Sequence, residues 1–221
     1  MENSSDNTLN FQHRLIEFYN QKFPSFMQIK IKRELKGCES FIELGCGSSS
    51  PAVQLVRNMF TIGVDGFLPS LKSNKKAGYF RDYILADLMY LPLKENSFDC
   101  VAAFDVIEHL VKAKAVKLIE DMEKVAERKV IISTPNGFNS KCHPEDNNPL
   151  QIHRSGWTTN EISRRGYVVL GIDGLLKLRG EQAKAIVKPE FLGALLARFS
   201  DLFVFWSPNS AFSLLCVKNK Q

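Results

Sequence analysis

The sequence predicts a doubly wound α/β fold built on a mainly parallel sheet. Apolar runs of strand length, such as FTIGVDG and FDCVAAF, alternate with stretches whose apolar residues recur at helical spacing, a pattern typical of βαβ units. The cores of these runs are almost continuously apolar, as expected of parallel strands covered by helices on both faces. A length of 221 residues with 44% hydrophobic residues suits one such domain with short extensions.

The N-terminal region is predicted to form a helical cap over residues 1–37, followed by the main domain over residues 38–221. The first residues, to about Thr8, are polar and indicate a frayed tail. LNFQHRLIEFYNQKF then places apolar residues at helical spacing, and FMQIKIKRELK follows as a second short helix. These two segments either roof a pocket or belong to the ordinary core.

Five strands and three helices are predicted in the next part of the chain. The strands are ESFIEL, FTIGVDG, DYILAD, FDCVAAF and KVIISTP. Ser50 and Pro51 predict the start of the first helix, as N-cap and first helical residue, and its apolar residues run to Met59. LPSLKSNKKA forms the second helix, which Gly78 ends. The third extends, continuous or interrupted, from near Asp105 through VKLIEDMEKVAERK.

The regular alternation of predicted strands and helices ends after Pro135. GFNSKCHPEDNNPLQIHRSGW is a long loop, and loops of this length in compact domains are usually functional lids or disordered segments. TTNEISRRG then predicts a capped helix closed by Gly166. A strand in YVVLGIDG, a helix in VKPEFLGALLARFSDLFVF and a last strand in SAFSLLCVK complete the chain.

The composition indicates which cellular compartment and which binding partners to expect. The five cysteines are odd in number and form no C-x-x-C pair, which indicates a reduced, cytoplasmic protein without a disulfide framework. The N-terminus MENSSDNTLN lacks the features of a signal peptide, and the most apolar late stretch, DLFVFWSPNSAFSLLCV, is too interrupted to span a bilayer. The net charge of +5 is spread along the chain, so nucleic acid is not the expected partner. We expect a monomer or a homodimer.

The stretch FIELGCGSSSP carries the strongest functional signal. Gly45 and Gly47 lie at a predicted strand-to-helix turn, where residues without side chains let backbone amides approach a ligand closely. Ser50 stands where a third glycine would complete the usual glycine-rich pattern, and an N-cap residue serves equally well at that point.

Three acids sharpen this signal. Asp65 ends the second predicted strand, where a carboxylate can accept hydrogen bonds from both hydroxyls of an adenosine ribose. Asp87 ends the third, within reach of an adenine amino group. Glu43 precedes the first glycine by two residues and would repel a pyrophosphate but attract an ammonium or sulfonium. The pattern therefore favours an adenosine that carries a cationic tail and no phosphates.

The segments E-L-G-C-G, V-D-G, A-D-L and F-D-C-V-A-A-F-D-V-I-E-H-L stand in the order of the class I S-adenosylmethionine-dependent methyltransferases, which the chain resembles over roughly residues 38–176. The nearest likeness is to the small-molecule group that includes quinone-biosynthesis methyltransferases. The resemblance implies a seven-stranded Rossmann-like sheet with an antiparallel C-terminal strand, and S-adenosyl-L-methionine as cofactor. It also implies ten cofactor-binding residues: Glu43, Gly45 and Gly47 at the methionine portion, Asp65, Gly66 and Phe67 at the ribose, Asp87 and Leu88 at the adenine, and Phe104 and Asp105 at the amino-acid end and the transferable methyl.

Methyl transfer requires alignment in a dry cavity, and it requires a base only for some acceptors. His153, in H-R-S-G-W on the long loop, is the first candidate for a base or an acceptor contact, followed by His109 and Asp105. Each of these residues also has a non-catalytic alternative. In these alternatives, His153 forms a hydrogen bond with the backbone of the loop, and His109 only packs against its neighbours. Asp105 and Glu108 have the spacing of a capping box that starts a helix.

No metal site is predicted, because the spacing of Cys142, His143 and His153 matches no standard zinc motif. The expected reaction is methyl transfer to a small-molecule acceptor whose identity the sequence does not reveal. The alternatives are a methyltransferase that acts on RNA or protein and a non-catalytic cofactor-binding or scaffold protein. A nicotinamide-dependent oxidoreductase is disfavoured, because it would prefer the full G-x-G-x-x-G/A turn without Glu43 beside it. The Tyr-x-x-x-Lys spacing of short-chain dehydrogenases occurs here at Tyr90 and Lys94, but with Pro92 between them in a loop.

Overall fold

The structure is a computed structural model, and it describes residues 25–139, 148–178 and 190–220. The helices within these ranges are α1 (Phe26–Glu34), α2 (Leu68–Ala77), α3 (Lys112–Val125), α4 (Thr159–Ser163) and α5 (Glu190–Trp206). The strands are β1 (Ser40–Leu44), β2 (Phe60–Asp65), β3 (Asp82–Leu85), β4 (Phe98–Phe104), β5 (Ala126–Pro135), β6 (Val168–Leu175) and β7 (Ala211–Asn219). The predicted helix in LNFQHRLIEFYNQKF lies outside the described residues.

The seven strands form one sheet in the order β3-β2-β1-β4-β5-β7-β6. Strands β1 to β5 pair in parallel, and β7 runs antiparallel between β5 and β6. The predicted fold class is therefore confirmed, including the antiparallel C-terminal strand. The strand order reverses beside β1, and in open α/β sheets ligands bind outside the carboxyl ends of the strands at such a switch point.

Both faces of the sheet are covered, as the apolar strand cores predict. Ile42 and Leu44 of β1 belong to a buried cluster that includes the inward face of α3. Phe41 of β1 points to the opposite face and belongs to a second cluster with residues of α1 and α2. Successive side chains of a strand point to opposite faces, so a strand that is buried on both sides must be apolar at nearly every position.

The helix predicted from Ser50 to Met59 is wrong, because residues 51–58 form turns. The Ser50 hydroxyl accepts a hydrogen bond from the Ala52 amide at 3.1 Å and donates one to a carboxylate oxygen of Glu43 at 2.5 Å. Most of the later backbone bonds close short turns, such as Leu55 N–H to Ala52 O at 2.7 Å. The Ser50 hydroxyl thus forms its hydrogen bond with a buried acid of the preceding strand, β1.

The capping box that the sequence left open as an alternative for Asp105 and Glu108 is not formed. Asp105 has a positive φ of 52°, and the following residues 107–109 form one turn of 3-10 helix. The chain is extended again at Val111, and α3 begins at Lys112, so the third helix is the interrupted one. Glu108 is buried in the fold instead of closing a helix start.

Other local signals are confirmed. Gly78 ends α2 in the left-handed conformation, and Thr158 with Glu161 forms a capping box at the start of α4. A capping box of Ser25 and Gln28 starts α1. Among the described residues, the helices are all too short or too polar to cross a membrane.

Candidate active site

A cavity of about 420 Å³ opens at the carboxyl edge of the parallel strands. Its lining comes from the turns after β1, β2 and β4, the segment after β3, the start of α3 and residues 148–154. This is the switch point where doubly wound sheets bind ligands, and the volume falls in the usual range of about 300–1,000 Å³ for ligand pockets. Six predicted cofactor-binding residues line it: Gly45, Asp65, Gly66, Asp87, Leu88 and Asp105.

The glycine turn after β1 is fixed by backbone geometry and by a neighbouring side chain. Gly45 has φ +72°, and a Cβ atom there would lie 2.6 Å from a methyl carbon of Val106. Gly47 has φ +54°, and an added Cβ there would lie 4.0 Å from the Ser49 carbonyl oxygen. Asn74 of α2 is fully buried and donates hydrogen bonds to the carbonyl oxygens of Cys46 and Gly47 at 3.2 and 3.1 Å. The sequence analysis missed this support, although an asparagine on the buried side of an amphipathic helix was a signal for it.

Asp65 ends β2 and is 8% exposed. One carboxylate oxygen accepts the Gly47 amide at 2.8 Å and the other accepts the Phe67 amide at 2.7 Å. A carboxylate has about four acceptor positions, so capacity for two further donors remains. Asp65 therefore ties the glycine turn to β2 and can still receive a diol.

Glu43 lies behind the turn and does not line the cavity. It is 1% exposed, and burial raises the pKa of its carboxyl to about 8 despite the hydrogen bond from Ser50. The carboxyl is consequently mostly protonated at neutral pH. The attraction for a cation that the sequence predicts thus requires Glu43 to lose its proton when the cation arrives.

The remaining predicted cofactor residues lie at the cavity or next to it. Asp87 follows β3 by two residues, is exposed, and accepts the Met89 amide at 2.9 Å. Gly66 packs close to Leu150 on the opposite wall, where an added Cβ would lie 3.3 Å from a leucine methyl. Phe67 contributes its backbone amide to Asp65, whereas its side chain is not part of the lining.

Phe104, the last residue of β4, and Asp105, which follows it, have different surroundings. Phe104 is 7% exposed and belongs to the core below the cavity. Asp105 faces the cavity, and its oxygen Oδ1 accepts a hydrogen bond from the Ser133 hydroxyl at 3.0 Å. The enclosing walls raise the pKa of Asp105 to about 6, although the side chain is reached by solvent through the cavity. Its positive φ is the kind of local strain that clusters at functional sites.

The loop that follows residue 147 docks on the turn after β4. The carbonyl oxygen of Glu108 accepts the amides of Arg154 and Ser155 at 2.7 and 3.0 Å, and the Ser155 hydroxyl donates to the Ile107 carbonyl at 3.1 Å. These bonds place His153 against His109. The predicted functional loop is thus brought to the cavity, with residues 140–147 outside the described ranges.

A buried tryptophan holds the end of this loop. Trp157 is 1% exposed, and the Lys112 ammonium lies 3.6 Å from the centroid of its ring. The same ammonium donates to the Gly156 carbonyl at 2.5 Å and pairs with Glu161 at 2.7 Å. A cation over an aromatic face is stabilising, so Lys112 fastens the loop to the start of α3.

The two candidate histidines lie together, with ring centroids 4.8 Å apart. His109 lines the cavity, and burial together with His153 lowers its pKa to about 4. His153 lies beside the cavity, and its Nδ1 is 2.7 Å from the Asn139 carbonyl oxygen; burial lowers its pKa as well. Both imidazoles are therefore neutral at pH 7. Glu108, His109 and His153 each offer one ligand atom to a group that could hold a metal ion.

Two cations at the cavity were missed by the sequence analysis. Lys114 and Arg154 are exposed and belong to the lining. The position of Arg154, next to His153 in the H-R-S-G-W segment, was the available signal. Leu150, Gln151 and Asn148 complete the same wall.

Part of the chain is similar to a known protein family. Residues 42–133 match the family model described as a methyltransferase domain. No curated protein sequence matches the chain. Among solved structures, the methyltransferase domain of a bacterial protein designated CtHen1 has a TM-score of 0.53 at 21% identity, over 87% of this chain and 97% of that chain.

Two further structures share the fold at lower identity. Magnesium protoporphyrin IX methyltransferase from Synechocystis, solved with bound SAM, has a TM-score of 0.51 at 14% identity, over 96% of this chain and 85% of that chain. The complex of the Haloferax volcanii Trm112 methyltransferase activator with a putative methyltransferase matches with a TM-score of 0.55 at 14% identity, over 96% and 95%. None of these matches bears on the predicted likeness to quinone-biosynthesis enzymes. Residues 42–133 are therefore similar to a methyltransferase domain, and the chain has the Rossmann-like fold of these methyltransferase structures. The S-adenosyl-L-methionine prediction agrees with the SAM bound in the Synechocystis structure.

Proposed function

We propose that the protein transfers a methyl group from S-adenosylmethionine to a small, hydroxylated or anionic acceptor bound in the cavity at the end of β4. The observation that carries this proposal is one cavity that joins two groups of residues. Gly45, Asp65 and Asp87 lie on the side of β1 to β3, and Asp105 and His109 lie at the end of β4.

The first group has the hydrogen-bond acceptors that an adenosine site requires. Asp65 retains acceptor capacity for a ribose diol, and Asp87 presents an exposed carboxylate two residues beyond β3. Leu88 and Met89 add apolar lining beside Asp87, as an adenine ring requires. Glu43, close behind the glycine turn, would ionise as the cationic end of the cofactor binds.

The opposite wall supports an acceptor that carries oxygen and negative charge. Lys114 and Arg154 bring two cations to the cavity, and the two acids on the cofactor side, Asp65 and Asp87, would repel an anion placed there. A volume of about 420 Å³ that is shared with the cofactor favours a small acceptor over an RNA or a protein segment. The free, buried cysteines among the described residues fit the expected cytoplasmic location.

When bound, the cofactor supplies the methyl group on a sulfonium, and the chain supplies position and exclusion of water. Asp105 is held by Ser133 and faces the cavity, so it can orient an acceptor hydroxyl or accept its proton. His109 is neutral and can accept a hydrogen bond or a proton from the same side.

The test is a calorimetric titration of the purified protein with S-adenosylhomocysteine, with NADH in parallel. Binding of S-adenosylhomocysteine alone supports the proposal and justifies a screen of hydroxylated and anionic acceptors with methyl-labelled cofactor. Binding of NADH alone would overturn it. Binding of neither would favour a non-catalytic scaffold.

A further inference from the structure

We propose that Glu108, His109 and His153 form a binding site for a divalent transition-metal ion beside the cavity. Each residue offers one ligand atom, and these atoms all lie within 4.8 Å of one another. Two imidazole nitrogens with one carboxylate oxygen are a donor set that suits Zn²⁺, Fe²⁺ or Mn²⁺, whereas Mg²⁺ and Ca²⁺ prefer oxygen ligands. The sequence analysis predicted no metal site, because it considered only Cys142, His143 and His153, whose spacing matches no standard zinc motif.

The first argument is that one polar atom of Glu108 and one of His109 are buried without a hydrogen-bond partner among the described residues. Glu108 is 2% exposed; its Oε2 accepts the Thr134 hydroxyl at 3.0 Å, but its Oε1 is buried without a partner. The Nδ1 atom of His109 is likewise buried and unpartnered. A buried polar atom left without a partner costs about 1–3 kcal/mol, so two such atoms on neighbouring residues of this group point to a ligand that satisfies both.

The second argument is the tautomer of His153. Its Nδ1 lies 2.7 Å from the Asn139 carbonyl oxygen. A carbonyl oxygen only accepts, so Nδ1 carries the proton and Nε2 holds the lone pair. Metal-binding histidines usually donate their second ring nitrogen to a carbonyl or carboxylate in this way. The unprotonated Nε2 is therefore the nitrogen of His153 that can act as a metal ligand.

The third argument is that the fold holds the three residues rigidly. The docking bonds from Arg154 and Ser155 to the Glu108 carbonyl fix the loop that carries His153 on the turn that carries the other two ligands. Edge-to-face packing of the two rings explains their 4.8 Å approach, but it satisfies neither the Glu108 oxygen nor the His109 nitrogen.

Three protein ligands leave coordination positions for water or a substrate oxygen. Because His109 also lines the cavity, the ion would lie next to the acceptor. This last consequence rests on the proposed function, whereas metal binding itself does not.

The experiment titrates chelator-treated full-length protein with ZnCl₂ and with MnCl₂, without cofactor or acceptor, and measures stoichiometry and affinity by calorimetry. We expect one ion per chain, and Mn²⁺ bound to protein is also visible by electron paramagnetic resonance. MgCl₂ and CaCl₂ are the comparison ions and should bind at least tenfold more weakly. Failure of the methyltransferase proposal would show in the titration with S-adenosylhomocysteine and would leave this result unaffected.

Glu108→Gln and His153→Ala should each lower the affinity at least tenfold, with thermal melting used to verify folding. Glu108→Gln keeps the side-chain volume and an oxygen for Thr134, so it is the milder test of the fold. His143→Ala is the control, because it alters another histidine of the same sequence segment. Absence of binding to the wild type, or equal binding by Glu108→Gln and His153→Ala, would overturn the proposal. Loss of binding in His143→Ala alone would assign the ion elsewhere and would overturn it as well.

Discussion

Replacement of Asp65 by alanine is the sharpest test of the cofactor site. The carboxylate accepts the Gly47 and Phe67 amides at 2.8 and 2.7 Å and is 8% exposed. Loss of a buried hydrogen-bond partner costs about 1–3 kcal/mol. If the same carboxylate also receives the ribose diol, we expect Asp65→Ala to weaken S-adenosylhomocysteine binding by roughly 5- to 150-fold.

The assay is calorimetry with S-adenosylhomocysteine, together with thermal melting of each variant. Asp65→Asn retains one acceptor oxygen and should have an intermediate effect. Asp82→Ala, which removes an exposed acid at the amino end of β3, is the matched control and should bind as the wild type does. Unchanged affinity in a folded Asp65→Ala protein would refute the assignment of this residue to the ribose.

Three further predictions follow from the same region. Because burial raises the pKa of Glu43 to about 8, the folded protein holds a proton that the unfolded chain releases, so stability should fall as the pH rises from 4.5 to about 8. Glu43→Gln should flatten this part of the pH–melting profile, and an identical profile would contradict the assignment. Gly45→Ala should destabilise the fold by about 1–3 kcal/mol in denaturant titrations, because the new Cβ would meet Val106. Gly78→Ala has a similar positive φ but open space, so equal losses in both variants would show that the contact is irrelevant. Lys112→Met removes the ammonium from the buried indole and the loop carbonyl; we expect about 1 kcal/mol lower stability and faster proteolysis of the loop, and an unchanged digestion pattern would argue against its fastening role.

Local patterns in the sequence predicted most of the fold. The apolar runs located all seven strands, and Gly78 and Thr158 marked helix ends that the structure confirms. These signals work because strand burial and helix capping depend on residues a few positions apart. Ser50 is the instructive failure: its local context predicts an N-cap, but a buried acid seven residues earlier takes its hydroxyl.

The candidate site was predicted only in part, because some of its contacts join residues that are distant in the sequence. Gly45, Asp65 and Asp87 could be named because each comes at or just after the end of a parallel strand, and those ends meet at one edge of the sheet. The sequence could not decide for Glu108 between a capping box with Asp105 and a direct role in the active site. Only the folded chain places it in the core and leaves one oxygen without a partner.

The sequence by itself therefore determined the order of strands and helices, the glycine turn and the acids that follow it, since all are written in the spacing of neighbouring residues. The tertiary structure decided which distant groups meet. His153 lies against His109 because the amides of Arg154 and Ser155 bond to the Glu108 carbonyl in the 3-10 turn. Lys112, at the start of α3, contacts Trp157 at the end of the loop. Such contacts depend on the path of the backbone between the two segments and on the burial it imposes, and no local periodicity encodes either.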